Sequence, residues 1–122
     1  MATLNTTLSL SSSNVASNNL NVTISDVLQV GNPVKGMSRE TVTTSTDTEI
    51  VSNSSSSSVY VYIKNVDSTN LVYLKTTAQG DTPFARLHAQ EAILFCVPPS
   101  TGLDVKADTA SCVVEFATFT KS

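Results

Sequence analysis

The sequence predicts an all-β protein, an antiparallel sandwich or barrel in a single domain over residues 1–122, and three observations carry that prediction. Short segments alternate apolar and polar residues with a period of two. The strictest is Val59–Asn65, where Val59, Val61 and Ile63 share one face and Tyr60, Tyr62 and Lys64 share the other. Turn-forming residues interrupt the chain at the roughly 8–12-residue spacing of sandwiches and barrels, and no segment holds the i, i+3, i+4 pattern of a helix. Polarity comes from hydroxyls rather than charges. Roughly 35 residues are Ser or Thr, which suit pleated surfaces and loops, while only 14% are charged.

Residues 3–10 alternate with Leu4, Thr6, Leu8 and Leu10 on one side, a first strand. The Ser/Asn run 11–19 reads as a loop, so residues 1–19 form an extended N-terminal arm or edge strand. Leu20, Val22 and Ile24 alternate before Val27, Leu28 and Val30 break the phase, which predicts a bulge or bend near Ser25-Asp26. Gly31-Asn32-Pro33 signals a turn. Residues 37–51 read as two Thr-rich strands around a turn at Ser45-Thr46-Asp47, on an edge or outward face.

The serine run 54–58 leads into what reads as a hairpin, Val59–Asn65 and Leu71–Lys75, across the polar turn 66–70. A turn over 76–83 with its tip at Gly80-Asp81 precedes a short strand, 84–88, anchored by Phe84 and Leu87. Ala92–Val97 is the most continuously apolar run and predicts a central strand buried on both faces. Pro98-Pro99-Ser100-Thr101-Gly102 ends it. Leu103–Ala107 alternates, 108–110 turns, and 111–120 closes the chain. Residues 58–120 hold every Tyr and Phe and both cysteines, and form the core-making half.

Several functions fit the composition poorly. A net charge of −3, with seven Lys and Arg scattered singly, disfavours nucleic acid, because neutralising phosphates takes clustered cations. No stretch approaches the ~20 apolar residues that span a bilayer. The start, MATLNTTLSL, has neither the basic residues nor the continuous apolar core of a signal peptide, so the expectation is folding in the cytoplasm. Cys96 and Cys112 sit in apolar runs and read as reduced core residues, with a disulfide open if their strands meet.

Catalytic and metal motifs are missing. His88 has Asp81 and Glu91 nearby in sequence, but no GxSxG-type turn accompanies it, and it reads as a rim residue. One His and two distant Cys fall short of a zinc set, and Asp47-Thr48-Glu49 reads as a solvated turn rather than a calcium loop. Phosphate-cradling glycine motifs are absent, and without Trp the chain offers little platform for sugars. The expectation is a protein without enzymatic activity or cofactor.

What remains is Tyr60, Tyr62 and Lys64, a candidate interface, since aromatics on an outward face favour protein contacts. The segments VYIKNVDSTNLVYL, FARLHAQEAILF, GLDVKA and VEFATFTK resemble those of small β-rich structural proteins in virions of tailed bacteriophages. There a Y-x-K-N strand and polar turn are followed by a turn of the type L-x-P-G-E. Ala89-Gln90 stand where that pattern has Pro-Gly, which leaves the tight turn before Glu91 open. The resemblance implies a jelly-roll-like sandwich acting as a capsid decoration or cement protein of the virion, a homotrimer bound to the major capsid protein. A tail or connector component and a receptor-binding fibre tip are the alternatives.

Overall fold

Alternating strands with one apolar face are stable only when that face is covered, so the chain must stack one sheet on another. The computed structural model describes residues 2–14, 20–77 and 82–122, with backbone alone over 32–35. The predicted turn tip at Gly80-Asp81 lies outside the described residues. Among the described residues nine strands run in order: β1 (Ala2–Ser12), β2 (Leu20–Val42), β3 (Thr48–Val51), β4 (Val59–Asn65), β5 (Val72–Lys75), β6 (Pro83–Leu87), β7 (Ala92–Val97), β8 (Leu103–Ala107) and β9 (Cys112–Lys121). They make a five-stranded sheet, β1-β2-β9-β4-β7, facing a four-stranded one, β3-β8-β5-β6.

The pairing follows one rule. β2 pairs with β9, β3 with β8, β4 with β7 and β5 with β6, all antiparallel, like the two arms of one long hairpin with its tip between β5 and β6. Rolling that hairpin brings β4 against β9 and β5 against β8. This is jelly-roll winding, with β1 added outside β2. The all-β antiparallel sandwich predicted from sequence is the fold observed.

The core lies between the sheets. Val59, Val61 and Ile63 point inward with Val42, Val114 and Phe116, and meet Val72, Leu74, Leu103 and Val105 from the other sheet. Each such side chain contributes about 1.5–3 kcal/mol by leaving water. The assigned inner face of β4 is thus correct, and its neighbours are β7 and β9.

Other readings change. β4 and β5 are not a hairpin, because the 66–71 connection crosses from one sheet to the other; a polar turn does not reveal which sheet receives the next strand. The same holds for 43–47, which carries the chain from β2 to β3. Gly31-Asn32-Pro33 does not turn the chain: β2 continues through it, with register shifts against β9 between Val30 and Ser38 that accommodate a proline lacking its N–H. No bulge occurs at Ser25-Asp26, since β1 and β2 pair without a break from Ala2↔Val30 to Ser12↔Leu20. Leu20, Val22, Ile24, Leu28 and Val30 keep one phase. Asp26 interrupts it chemically, and Val27 falls on the other face.

β7 is not central but an edge strand, with Leu94 and Cys96 exposed. Cys112 alone of the two cysteines is buried; it lies in β9, with β4 between it and Cys96 of β7, and no disulfide joins them. Of the two anchors expected in β6, Leu87 is buried and Phe84 is exposed. Asp47 is not merely solvated: its Oδ1 lies 2.8 Å from Nζ of Lys75, a lysine only 3% exposed.

The tight turn before Glu91 survives without Pro-Gly. The Glu91 N–H donates to the His88 carbonyl at 3.1 Å, and Gln90 takes a positive φ of 68°. A side chain at that φ is unfavourable, but Gln90 Nε2 donates to the carbonyls of Val66 (2.8 Å) and Asp67 (3.0 Å), tying the turn to the β4–β5 connection. At the other end of the sandwich Gly102 has φ 74°, and a Cβ there would sit 2.5 Å from Thr77 Oγ1.

Asn65 closes β4 at the Gln90 end. It is wholly buried, and its Nδ2 donates to the carbonyls of Asn70 (2.8 Å), Leu87 (3.1 Å) and His88 (3.2 Å). Its Oδ1 accepts from the Asp67 N–H at 3.1 Å. Replacing Asn65 with Ala strands these buried groups and is expected to cost about 2–4 kcal/mol in urea unfolding.

Asp67 Oδ2 in turn accepts from the N–H groups of Asn70 (2.6 Å) and Thr69 (2.9 Å). The Asn70 bond first, then the Thr69 bond, hold its carboxyl below the ordinary 3.8. The folded chain therefore favours the charged form. Its stabilising share is complete above the unfolded value near 3.8 and is lost as pH falls through the lowered folded value. Urea midpoints between about pH 2 and pH 5 should show weaker acid dependence in Asp67→Asn than in the parent.

Candidate functional site: the outer face of the five-stranded sheet

The inward set of β4 fixes what points outward. Tyr60 stands opposite Cys96 of β7 and Phe119 of β9, Tyr62 opposite Leu94 and Ala117, and Lys64 opposite Ala92 and Glu115. The three candidate residues therefore do share one face, and all are half-buried. Between them the neighbours form an open apolar groove of about 260 Å³, lined by Leu4, Thr6, Met37, Tyr62, Leu94, Ala117 and Phe119.

Tyr62 is also held from below. Its hydroxyl donates to Glu115 Oε1 at 3.2 Å, while Arg39 Nε and Nη2 donate to Glu115 Oε2 at 3.2 and 3.1 Å. Burial first, then the hydrogen bond and the charge of Glu115, push the Tyr62 phenol above its ordinary 10.0. The ring is fixed in the groove as a neutral donor. Sequence reading found Tyr62 through its alternation and missed Glu115 and Arg39, because their meeting depends on β9 lying between β2 and β4.

The N-terminal hairpin is the larger omission. Its unbroken register sets Leu4 opposite Leu28, Leu8 opposite Ile24, Leu10 opposite Val22 and Ser12 opposite Leu20. The other face pairs Thr3 with Gln29, Thr7 with Ser25, Ser9 with Thr23 and Ser11 with Asn21. One face is therefore mostly apolar, interrupted by Thr6 opposite Asp26, and the other is almost wholly polar. The apolar face is uncovered: Leu8 is 54% exposed and Ile24 55%, with Leu10 and Leu20 exposed beside them. Leu4 and Thr6, at the base of the same face, form one wall of the groove.

The four-stranded sheet carries a polar groove of about 470 Å³ lined by Tyr73, Lys75, Arg86, Lys106 and Asp108 among others. Three of its charges are engaged within the chain. Lys75 meets Asp47, Arg86 lies 5.5 Å from the Tyr73 ring centre, and Asp108 bonds the Tyr73 hydroxyl, raising that phenol above 10.0. His88 sits on an exposed turn with Nδ1 2.8 Å from Glu91 Oε1. Among the described residues no three His, Cys, Asp or Glu side chains converge as a metal set would.

No protein-family model matches the chain, and no curated protein does. A structure solved in work on Bacillus endospore appendages, described as a family of disulfide-linked pili, has a TM-score of 0.41 and 13% identity, covering 75% of this chain and 95% of that chain. That likeness is too distant to bear on function.

If Tyr62 serves mainly to complete the groove wall, Tyr62→Phe keeps the ring and releases Glu115. The expected cost is about 0.5–1.5 kcal/mol in urea unfolding, the worth of one hydrogen bond. A much larger loss would make the Tyr62–Glu115–Arg39 chain a structural brace.

Proposed function

We propose that this chain is a non-catalytic structural subunit that works by assembling with protein surfaces, and that its setting is a virion coat. The observation that supports this most is the bare apolar face of the β1–β2 hairpin. A lone two-stranded hairpin is marginal in water. Keeping Leu8, Leu10, Leu20 and Ile24 on one solvent-facing side is costly for a chain that remains alone, and it equips a chain that docks. The apolar groove at the hairpin base, walled by Leu4 and floored by Tyr62 and Ala117, extends the same surface.

The likeness to tailed-phage virion proteins supplies the particular form of the proposal: a decoration or cement protein that binds the major capsid protein, as a homotrimer, and stabilises the head. Low charge and hydroxyl-rich surfaces suit contacts made through shape and apolar area. The hairpin is the docking arm in this reading.

The test is a Leu8→Ser, Ile24→Ser double variant. Both side chains are exposed, so urea stability should stay within about 0.5 kcal/mol of the parent. Occupancy on particles imaged by cryo-electron microscopy should fall. A folded double variant that decorates like the parent would overturn the proposal.

A further inference from the structure

The two sheets treat their free edges differently. On the four-stranded sheet the edges are blunted: β3 has four residues, carries Glu49 and slips register, while β6 starts at Pro83 and carries Arg86. These are devices that stop strands from pairing with other molecules. β7, at the edge of the five-stranded sheet, has none. Ala92–Val97 is uncharged, proline-free and paired to β4 without a register break.

We propose that β7 is a self-pairing edge: it binds β7 of a second copy of this chain, antiparallel about a twofold axis at Leu94. The proposal deepens the assembly reading and rests on it only in taking the chain to associate; the twofold pair is a contact separate from the threefold one of a homotrimer, and it would join copies from two such trimers. The backbone settles the register. Asn65 N–H donates to the Glu91 carbonyl at 2.9 Å, so residue 91 points its carbonyl at β4. Alternation along the unbroken pairing then turns the N–H and C=O groups of Ala92, Leu94 and Cys96 outward.

Centring on Leu94 is the register that engages all three residues of both strands, giving about six hydrogen bonds. It sets Leu94 against the partner's Leu94 and Ala92 against the partner's Cys96 on the outer face. On the inner face it sets Ile93 against the partner's Phe95. Every cross-strand pair is apolar. Leu94 is 41% exposed in the single chain and gains a partner, as does the exposed ring of Phe84, which packs edge-on to Phe95 with centroids 5.8 Å apart.

β1 is the other uncharged edge of this sheet, but it fits β7 less well. Five antiparallel strands leave β1 and β7 running the same way, so stacking copies in one orientation would make a parallel pair, the weaker kind. It would also leave an open chain of subunits. The twofold pair closes.

Residue 94 meets itself only in this arrangement, and a charge swap reads that directly. Leu94→Lys and Leu94→Glu, both at an exposed position, should fold as the parent does by circular dichroism. In sedimentation each alone should dissociate at least about tenfold more readily than the parent, because like charges face each other. An equimolar mixture should recover association, with Lys and Glu paired across the axis. The proposal is overturned if the parent is monomeric, if either charged variant associates like the parent, or if the mixture stays dissociated. The Leu8→Ser, Ile24→Ser variant separates the two readings: loss of particle binding with the β7 pair retained leaves both standing, while association lost there and retained in Leu94→Lys leaves only the hairpin.

Discussion

The structure depends on the two faces of β9 and β4 being committed in opposite directions. β9 is the strand that closes the roll, paired with β2 on one side and β4 on the other. Its residues Cys112, Val114, Phe116 and Thr118 point inward, and β4 sends Val59, Val61 and Ile63 beside them. Because the side-chain period in a strand is two, a slip of one residue in either strand would put the charge of Glu115 or Lys64 into the core. That penalty is what makes the register unique. It also fixes, with no further freedom, which residues meet on the outside: Tyr62 with Ala117 and Leu94, Lys64 with Glu115. The groove is a by-product of core register.

How much of this was legible in the sequence follows from the same rule. β4, β8 and β9 could be read because each has one buried and one wetted face, and the alternation records it. β7 misled for a physical reason. Ile93, Phe95 and Val97 supply the inner face, while Ala92, Leu94 and Cys96 make the outer one apolar too, and a run apolar on both faces looks the same whether its own chain or another covers it. The hairpin of β1 and β2 failed differently: one Asp at position 26 and one Val at 27 disguised a phase that holds from Leu20 to Val30. Topology was the least legible part. The polar turns at 43–47 and 66–71 have hairpin chemistry and yet carry the chain between sheets, because a turn specifies a change of direction and not a choice of neighbour.

The polar contacts divide along similar lines. Asn65, Asp67 and Gln90 join two connections at one end of the sandwich through bonds to backbone carbonyls and N–H groups. None of the three stands out in a sequence so rich in turn formers. Their value comes from burial, since a stranded Nδ2 in a dry site costs far more than the same group in water. The departure from Pro-Gly at Ala89-Gln90 is tolerated for this reason: Gln90 offsets its unfavourable φ with side-chain bonds that glycine could not make.

The hairpin face and the β7 edge are two different kinds of adhesive surface. An apolar face gains free energy in proportion to the area it loses to a partner, and it sets few demands on orientation. A strand edge is directional: its hydrogen bonds form in one register or not at all, and the side-chain pairs follow. A subunit that must both stick to a larger shell and hold a defined relation to its own copies needs one surface of each kind. Here they occupy different elements, so a change in one can leave the other intact. Leu94 is where they come closest, since it lies on the free edge and also lines the groove that Leu4 and Thr6 wall. In the proposed assembly, pairing at the edge would extend the groove across the twofold axis to its counterpart on the second copy. The register that orients the copies would then also enlarge the apolar surface open to a shell.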